Sequence, residues 1–215
     1  DGHDCMTDLA KAQELFFSAL EAQKNGNLRS AENLYRQALT LAPDRPSILN
    51  NLAAVLQLQG QHAEALRCSE RLLEIDARDA SAWMHRGNAQ TGLKLLPRAL
   101  ASYDQALKIT PDYADALVNR ASALALSHRP MEALDDLEHA LELVPDHQEA
   151  LVNRAAVLVD LHRPEDALDD YRRCLEREPE SAKILSSFGN ALLEAGQLHK
   201  ALASCERAVA LDPLY

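Results

Sequence analysis

Basic residues are outnumbered in this chain. Lys and Arg total 22 against 33 Asp and Glu, giving a formal net charge of −11 and a pI near 5.1. Phosphate backbones are held by clustered cations that release counterions, so a nucleic-acid partner is disfavoured. The same sign argues against docking on anionic lipid. No apolar run approaches the ~18 residues of a membrane span, and the start lacks the basic-then-apolar pattern of a secretory signal. Cysteine occurs four times, at Cys5, Cys68, Cys174 and Cys205, without a C-x-x-C spacing. Reduced thiols in a cytoplasmic protein are the expectation. Catalytic motifs are missing too: no H-E-x-x-H, no Cys/His cluster and no glycine-rich phosphate loop behind a strand. We therefore expect no catalytic residue, no cofactor and no metal. Aromatics are 4% of the chain, and glycine (7) and proline (9) are few, which suits a chain of helices.

What the chain has instead is a period. ADALVNRASALALSHRPMEALDDLEHALELVPDH (114–147) and QEALVNRAAVLVDLHRPEDALDDYRRCLEREPES (148–181) agree at 17 of 34 positions. Alanine recurs at Ala31, Ala65, Ala99, Ala133, Ala167 and Ala201, each 34 residues after the last. A small residue keeps the same step at Ala19, Ala53, Gly87, Ala121, Ala155 and Gly189, and proline does so at Pro43, Pro111, Pro145, Pro179 and Pro213, with Ala77 standing in once. Six repeats fill residues 12–45, 46–79, 80–113, 114–147, 148–181 and 182–215, after a lead-in of residues 1–11. The first five residues carry no pattern, and Met6 reads as the natural start. A fixed period decides the architecture before local propensity does, and a stacked array counts as one domain.

Within each repeat the apolar spacing is helical, as in Leu49, Leu52, Ala53 and Leu56, then Ala65, Leu66, Leu72 and Leu73. Two helices per repeat are broken at Asn25-Gly26, Gly60, His128-Arg129, His162-Arg163 and Gly196. Pro130 and Pro164 fit the first turn of a second helix, where a missing amide costs nothing. The proline closing each repeat stops that helix. Asp44, Asp112 and Asp146 just after it are expected to cap the next one, and Thr7 or Asp8 to cap the first.

The pattern resembles the tetratricopeptide repeat: a bulky residue fourth, a small one eighth, alanine twentieth, an aromatic twenty-fourth, a small residue twenty-seventh and proline thirty-second. Trp83, Gly87, Ala99, Tyr103, Ala106 and Pro111 fill those places in the third repeat. Ser69, Leu137 and Cys205 replace the aromatic, and Leu72 replaces a small residue. The resemblance implies an all-α, right-handed superhelical solenoid of six helix-turn-helix repeats. It also implies a concave groove lined by the first helices, which takes a protein or extended peptide. Carried over by repeat position, that groove would be lined by Phe16, Phe17, Asn50, Asn51, Met84, His85, Asn88, Asn119, Ser122, Asn153 and Asn190.

Position six repeats asparagine at Asn51, Asn119 and Asn153, with His85 and Ser187 in the same row. A carboxamide offers donors and an acceptor, so a row of them can hold a peptide backbone without reading its side chains. This is similar to the asparagine ladder of O-linked N-acetylglucosamine transferases and their bacterial relatives. Duplication alone also produces such rows. The other groove chemistry of the family, a carboxylate clamp for chaperone tails, is poorly matched. Its five positions hold Phe16, Leu20, Asn51, Ser81 and His85, and only one fits.

Phe16, Phe17 and Leu20 read either as a pocket for an apolar ligand side chain or as packing against the second repeat and the lead-in. Arg86, Arg120 and Arg154 recur alongside Asp135, Asp136, Asp169 and Asp170, which reads as an exposed ion-pair ladder contributing ~0–1 kcal/mol per pair, with anion binding the lesser reading. His128 and His162 occupy equivalent turns, too far apart to share a zinc. On the last helix Ala201, Leu202, Cys205, Ala208 and Val209 have nothing in sequence to cover them. Such an open face predicts weak self-association, or coverage by further chain. The reading is a non-catalytic protein- or peptide-binding scaffold. Its alternatives are the substrate-recognition arm of a larger enzyme, such as a glycosyltransferase, and a self-assembling scaffold.

Overall fold

A computed structural model describes residues 2–213, with side chains from Asp8 onward. Among the described residues there are twelve helices and no strand. They divide into two compact halves, Asp1–Pro111 and Asp112–Tyr215, and the division falls at the turn between the third and fourth repeats.

The first half holds α1 (Gly2–Lys24), α2 (Leu28–Leu41), α3 (Pro46–Leu58), α4 (His62–Ile75), α5 (Ala80–Gly92) and α6 (Leu96–Ile109). The second holds α7 (Ala114–Leu126), α8 (Pro130–Leu143), α9 (Gln148–Asp160), α10 (Pro164–Arg177), α11 (Ala182–Glu194) and α12 (Leu198–Leu211). Odd-numbered helices open the repeats and even-numbered ones close them. Within each half every helix packs on its neighbour in sequence, and successive first helices also touch: α3 on α5, α7 on α9, α9 on α11. This is the all-α repeat architecture that the 34-residue period predicts.

The periodic small residues form the seam. Ala31, Ala65, Ala99, Ala133 and Ala167 are fully buried, as are Ala19, Ala53, Ala121 and Ala155 facing them. Small side chains there let helix backbones approach closely, and the larger apolar residues interlock around them. In the first half Ile48, Leu52, Val55 and Leu56 of α3 close over Tyr35 of α2. In the second, Leu117, Leu124, Leu137, Leu151 and Leu158 are buried. Each buried leucine stabilises the stack by ~1.5–3 kcal/mol. At Gly87 the helices approach so closely that a Cβ would stand 2.5 Å from Cε1 of Tyr103.

Pro130 and Pro164 begin α8 and α10, as expected. Two capping expectations are corrected. Helix α1 starts at Gly2, so Thr7 and Asp8 lie inside it, since nothing between Gly2 and Lys11 breaks a helix. Asp44, Asp112 and Asp146 stand one residue too early to cap. The cap positions are Arg45, Tyr113 and His147, and of these only His147 receives an amide, that of Ala150. Asp79 and Ser181 cap α5 and α11 by accepting amide hydrogens.

The early aspartates fasten one repeat to the next instead. Arg71 donates to Asp44 at 3.0 Å, His139 meets Asp112 at 3.1 Å, and Arg173 donates to Asp146 at 2.9 Å. Each pair joins position 26 of one repeat to position 33 of the repeat before it. Arg207, at the same position 26, donates to the carbonyl of Pro179 at 3.1 Å. Cys68, Cys174 and Cys205 are free thiols, and burial pushes that of Cys174 up to about 11. The side chain of Cys5 lies outside the described residues.

Candidate peptide-binding faces

In the second half a cleft of about 290 Å³ lies between the C-terminal parts of the first helices α7 and α9. Ala121, Ala125 and Ala156 keep it open, because an alanine fills so little of the space between helices that a larger residue would close. Leu137 of α8 and Val157 complete its apolar wall. Leu126 stands at the lip, 51% exposed, and Asp160 is the one charged residue of the lining. Across the cleft the Asn153 carboxamide donates to Ser122 Oγ at 3.1 Å, while Ser122 turns its own hydrogen to the carbonyl of Val118. Asn153 thereby keeps its carbonyl oxygen and one amide hydrogen for another partner. Asn119, one turn ahead of Ser122, and the exposed Asn190 on α11 have no side-chain partner among the described residues.

The first half has a smaller cleft of about 180 Å³ between α1 and α3, lined by Leu9, Ala12, Gln13, Phe16, Phe17, Arg45, Ser47 and Ile48. Both sequence-level readings of the phenylalanines describe part of it. Phe16 packs inward, its ring centroid 5.9 Å from that of Tyr35, and Phe17 stands against it at 5.7 Å while remaining 56% exposed. Here each of the asparagines makes a hydrogen bond within the fold. Asn51 donates to the Ser47 carbonyl at 2.8 Å, Asn50 accepts from Ser81 at 2.9 Å, and Asn88 accepts from the Tyr103 hydroxyl at 2.7 Å. Met84 and His85, expected in the groove lining, are buried. Burial holds the His85 imidazole below its ordinary 6.5, and its Nδ1 has no partner. The sequence-level set thus contains two fastenings, Asn50 between α3 and α5 and Asn88 between α5 and α6, while Asn51 and Asn153 each spend one amide hydrogen and Asn119 none. Leu9 and Arg45 lie outside the repeat positions that line the groove in the family, so no periodic signal marks them.

The arginine row is more buried than its sequence reading. Arg120 grips Asp136 with two hydrogen bonds of 2.7 and 2.6 Å, and Arg154 grips Asp170 at 2.8 and 2.7 Å. The two carboxylates are only 9% and 4% exposed, so these are not exposed pairs. Each ties the first helix of its repeat to the second. The equivalent of those aspartates opposite Arg86 is Ser102, which donates to Gln90 instead. Arg86 lies over the Trp83 ring at 5.1 Å with its Nε buried and unpartnered. Among the described residues no three His, Cys, Asp or Glu side chains stand together to hold a metal ion, and no helix is long and apolar enough to cross a membrane.

Family models described as tetratricopeptide repeat match residues 22–88, 80–113, 112–179 and 152–215, an unbroken cover from Ala22 onward. The chain is a tetratricopeptide-repeat protein. Solved tetratricopeptide-repeat structures share its fold. A thermophilic repeat protein of Thermus thermophilus superposes with a TM-score of 0.76 at 24% identity, over 85% of this chain and 99% of that one. The Cut9–Hcn1 assembly of the APC/C reaches 0.89 at 13% identity, over 94% of this chain and 40% of that one. Among curated proteins, a heat-shock cognate co-chaperone of Aspergillus fumigatus is 32% identical over 78 residues, 36% of this chain and 23% of its own length. The repeat array thus spans about a quarter of the length of that relative.

Proposed function

We propose that this tetratricopeptide-repeat array is a non-catalytic scaffold that holds an extended peptide along the first helices of its repeats. The observation that carries the reading is the α7–α9 cleft, where an apolar trough runs beside carboxamides that retain hydrogen-bonding capacity. Asn119 and Asn153 can each give a peptide backbone a hydrogen bond, while the trough takes a side chain. Residues of the first half contribute less, because Asn50 and Asn88 are engaged between helices and Met84 and His85 are buried, while Asn51 keeps the same capacity as Asn153. Phe16 and Phe17 offer that half an apolar foothold. Likeness to a co-chaperone does not bring a chaperone-tail clamp with it, since Phe16, Leu20, Ser81 and His85 stand where four of the five clamp residues are required.

The test is titration with unstructured peptides of differing sequence against wild type and an Asn119→Ala/Asn153→Ala variant. Each lost hydrogen bond costs ~0.5–1.5 kcal/mol, so the pair should weaken binding roughly fivefold to 150-fold, whatever the peptide's side chains. Melting should be nearly unchanged, because Asn119 has no side-chain partner among the described residues and Asn153 makes only one hydrogen bond, to the partly buried Ser122. Equal affinities for both proteins would remove the backbone-holding role.

A further inference from the structure

Resting on that peptide-binding reading, we propose that the α7–α9 cleft selects an aliphatic side chain immediately followed by lysine or arginine. The trough's walls are alanine and branched aliphatic side chains, with half-exposed Leu126 at the mouth. Beyond Ser122, Asn153 and Asp160, which face the peptide backbone and the rim, the lining offers a polar side chain no partner, and burying one unpaired is costly. An aliphatic side chain fits. At the rim stands Asp160, exposed and with no ion-pair partner among the described residues.

Asp160 is also the last residue of α9, where the helix already gathers about half a negative charge. A carboxylate there is repelled by its own helix end, so it destabilises α9 unless a cation answers it. The other repeats hold Lys24, Leu58, Gly92, Leu126 and Glu194 at the same position, so duplication does not account for an aspartate here. A lysine or arginine next to the seated aliphatic residue would meet the carboxylate and the helix terminus together. An acidic neighbour would be repelled by both, and that asymmetry makes the site selective.

Three decapeptides of serine and glycine carrying Leu-Lys, Leu-Gln or Leu-Glu at their centre separate the possibilities, titrated by NMR at low salt. Wild type should bind them in the order Lys, Gln, Glu, with about three- to tenfold between the extremes. That ratio should shrink toward one at about 0.5 M salt, where the Debye length falls to a few ångströms. Asp160→Asn should bring the three within about twofold and melt no lower than wild type. Replacing Leu by Ser in the Leu-Lys peptide should weaken it in both proteins. Equal binding of the Leu-Lys and Leu-Glu peptides to wild type would overturn the proposal, as would a preference that survives Asp160→Asn. If Asn119→Ala/Asn153→Ala weakened all three peptides alike while no order appeared, the scaffold reading would stand and this selection would fall. Absence of binding by every peptide would sink both.

Discussion

One residue in every repeat turns the chain from first helix to second through the left-handed region. Glycine does this at Gly26, Gly60 and Gly196, with φ between 73° and 75°, and a Cβ there would meet nothing. In the three middle repeats Lys94, His128 and His162 do it, with φ of 58–63°. A side chain in that region costs ~1–2 kcal/mol, against ~0.5–1 kcal/mol that glycine loses in backbone entropy. His128 is exposed and its ring has no hydrogen bond among the described residues. His128→Gly should therefore stabilise the fold by about 0.5–1 kcal/mol, read from urea midpoints. His162→Gly should add a similar gain independently, since the two turns lie in different repeats. A loss of stability in both variants would show that the histidine rings contribute contacts outweighing the strain. The histidine turns were legible as turns from the period alone. Lys94 falls on the same 34-residue step, but lysine carries no turn signal of its own, so the sequence reading leaves it unmarked.

Element by element, two devices hold each repeat together: an alanine seam and, in the fourth and fifth repeats, a buried Arg–Asp clasp. The seam was readable, since alanine at a fixed step on two facing helices has no better explanation than close approach. Ala133 is fully buried where α8 meets α7. Ala133→Leu adds a bulky branched side chain to that contact and should cost roughly 1–3 kcal/mol by overpacking. A melting temperature equal to wild type would mean the helices can part without penalty, contrary to the packing described. Burial of the clasps was not readable. Sequence shows arginine and aspartate recurring 16 residues apart, and only packing reveals that Asp136 and Asp170 lie inside while Asp135 and Asp169 face out. The same limit applies to Asp44, Asp112 and Asp146. Their place after a proline is a capping signal, but the arginine or histidine reaching back from the next repeat decides where they point.

At the scale of the molecule, the six repeats and their all-α class follow from the period, whereas the division into two halves has no sequence mark. Pro111-Asp112 is the same turn as Pro145-Asp146, which lies within one half. The binding faces were half legible for a related reason: repeat positions name the residues that can line a groove, but not which are already spent on the fold. One surface bears on association of whole chains. On α10 the face carrying Leu168 and Tyr171 is buried, and α11 packs against that helix. The equivalent face of α12 carries Leu198, Leu202, Cys205 and Val209, with Leu202 58% and Val209 48% exposed. Ala201 and Ala208, grouped with them from sequence, are buried and do not belong to it. Four apolar side chains at helical spacing form a patch that water covers poorly, and two copies can bury it against each other about a twofold axis. The 215-residue chain should therefore self-associate weakly, its sedimentation coefficient rising with concentration through the upper micromolar range. Val209→Glu sets a carboxylate at one end of the patch, which any pairing that buries the patch would have to leave unpaired, so the coefficient should become flat while the melting curve stays put. A wild-type chain that sediments as a monomer throughout would show the stripe to be too small to hold two chains together. Association that survives Val209→Glu would put the contact on another face.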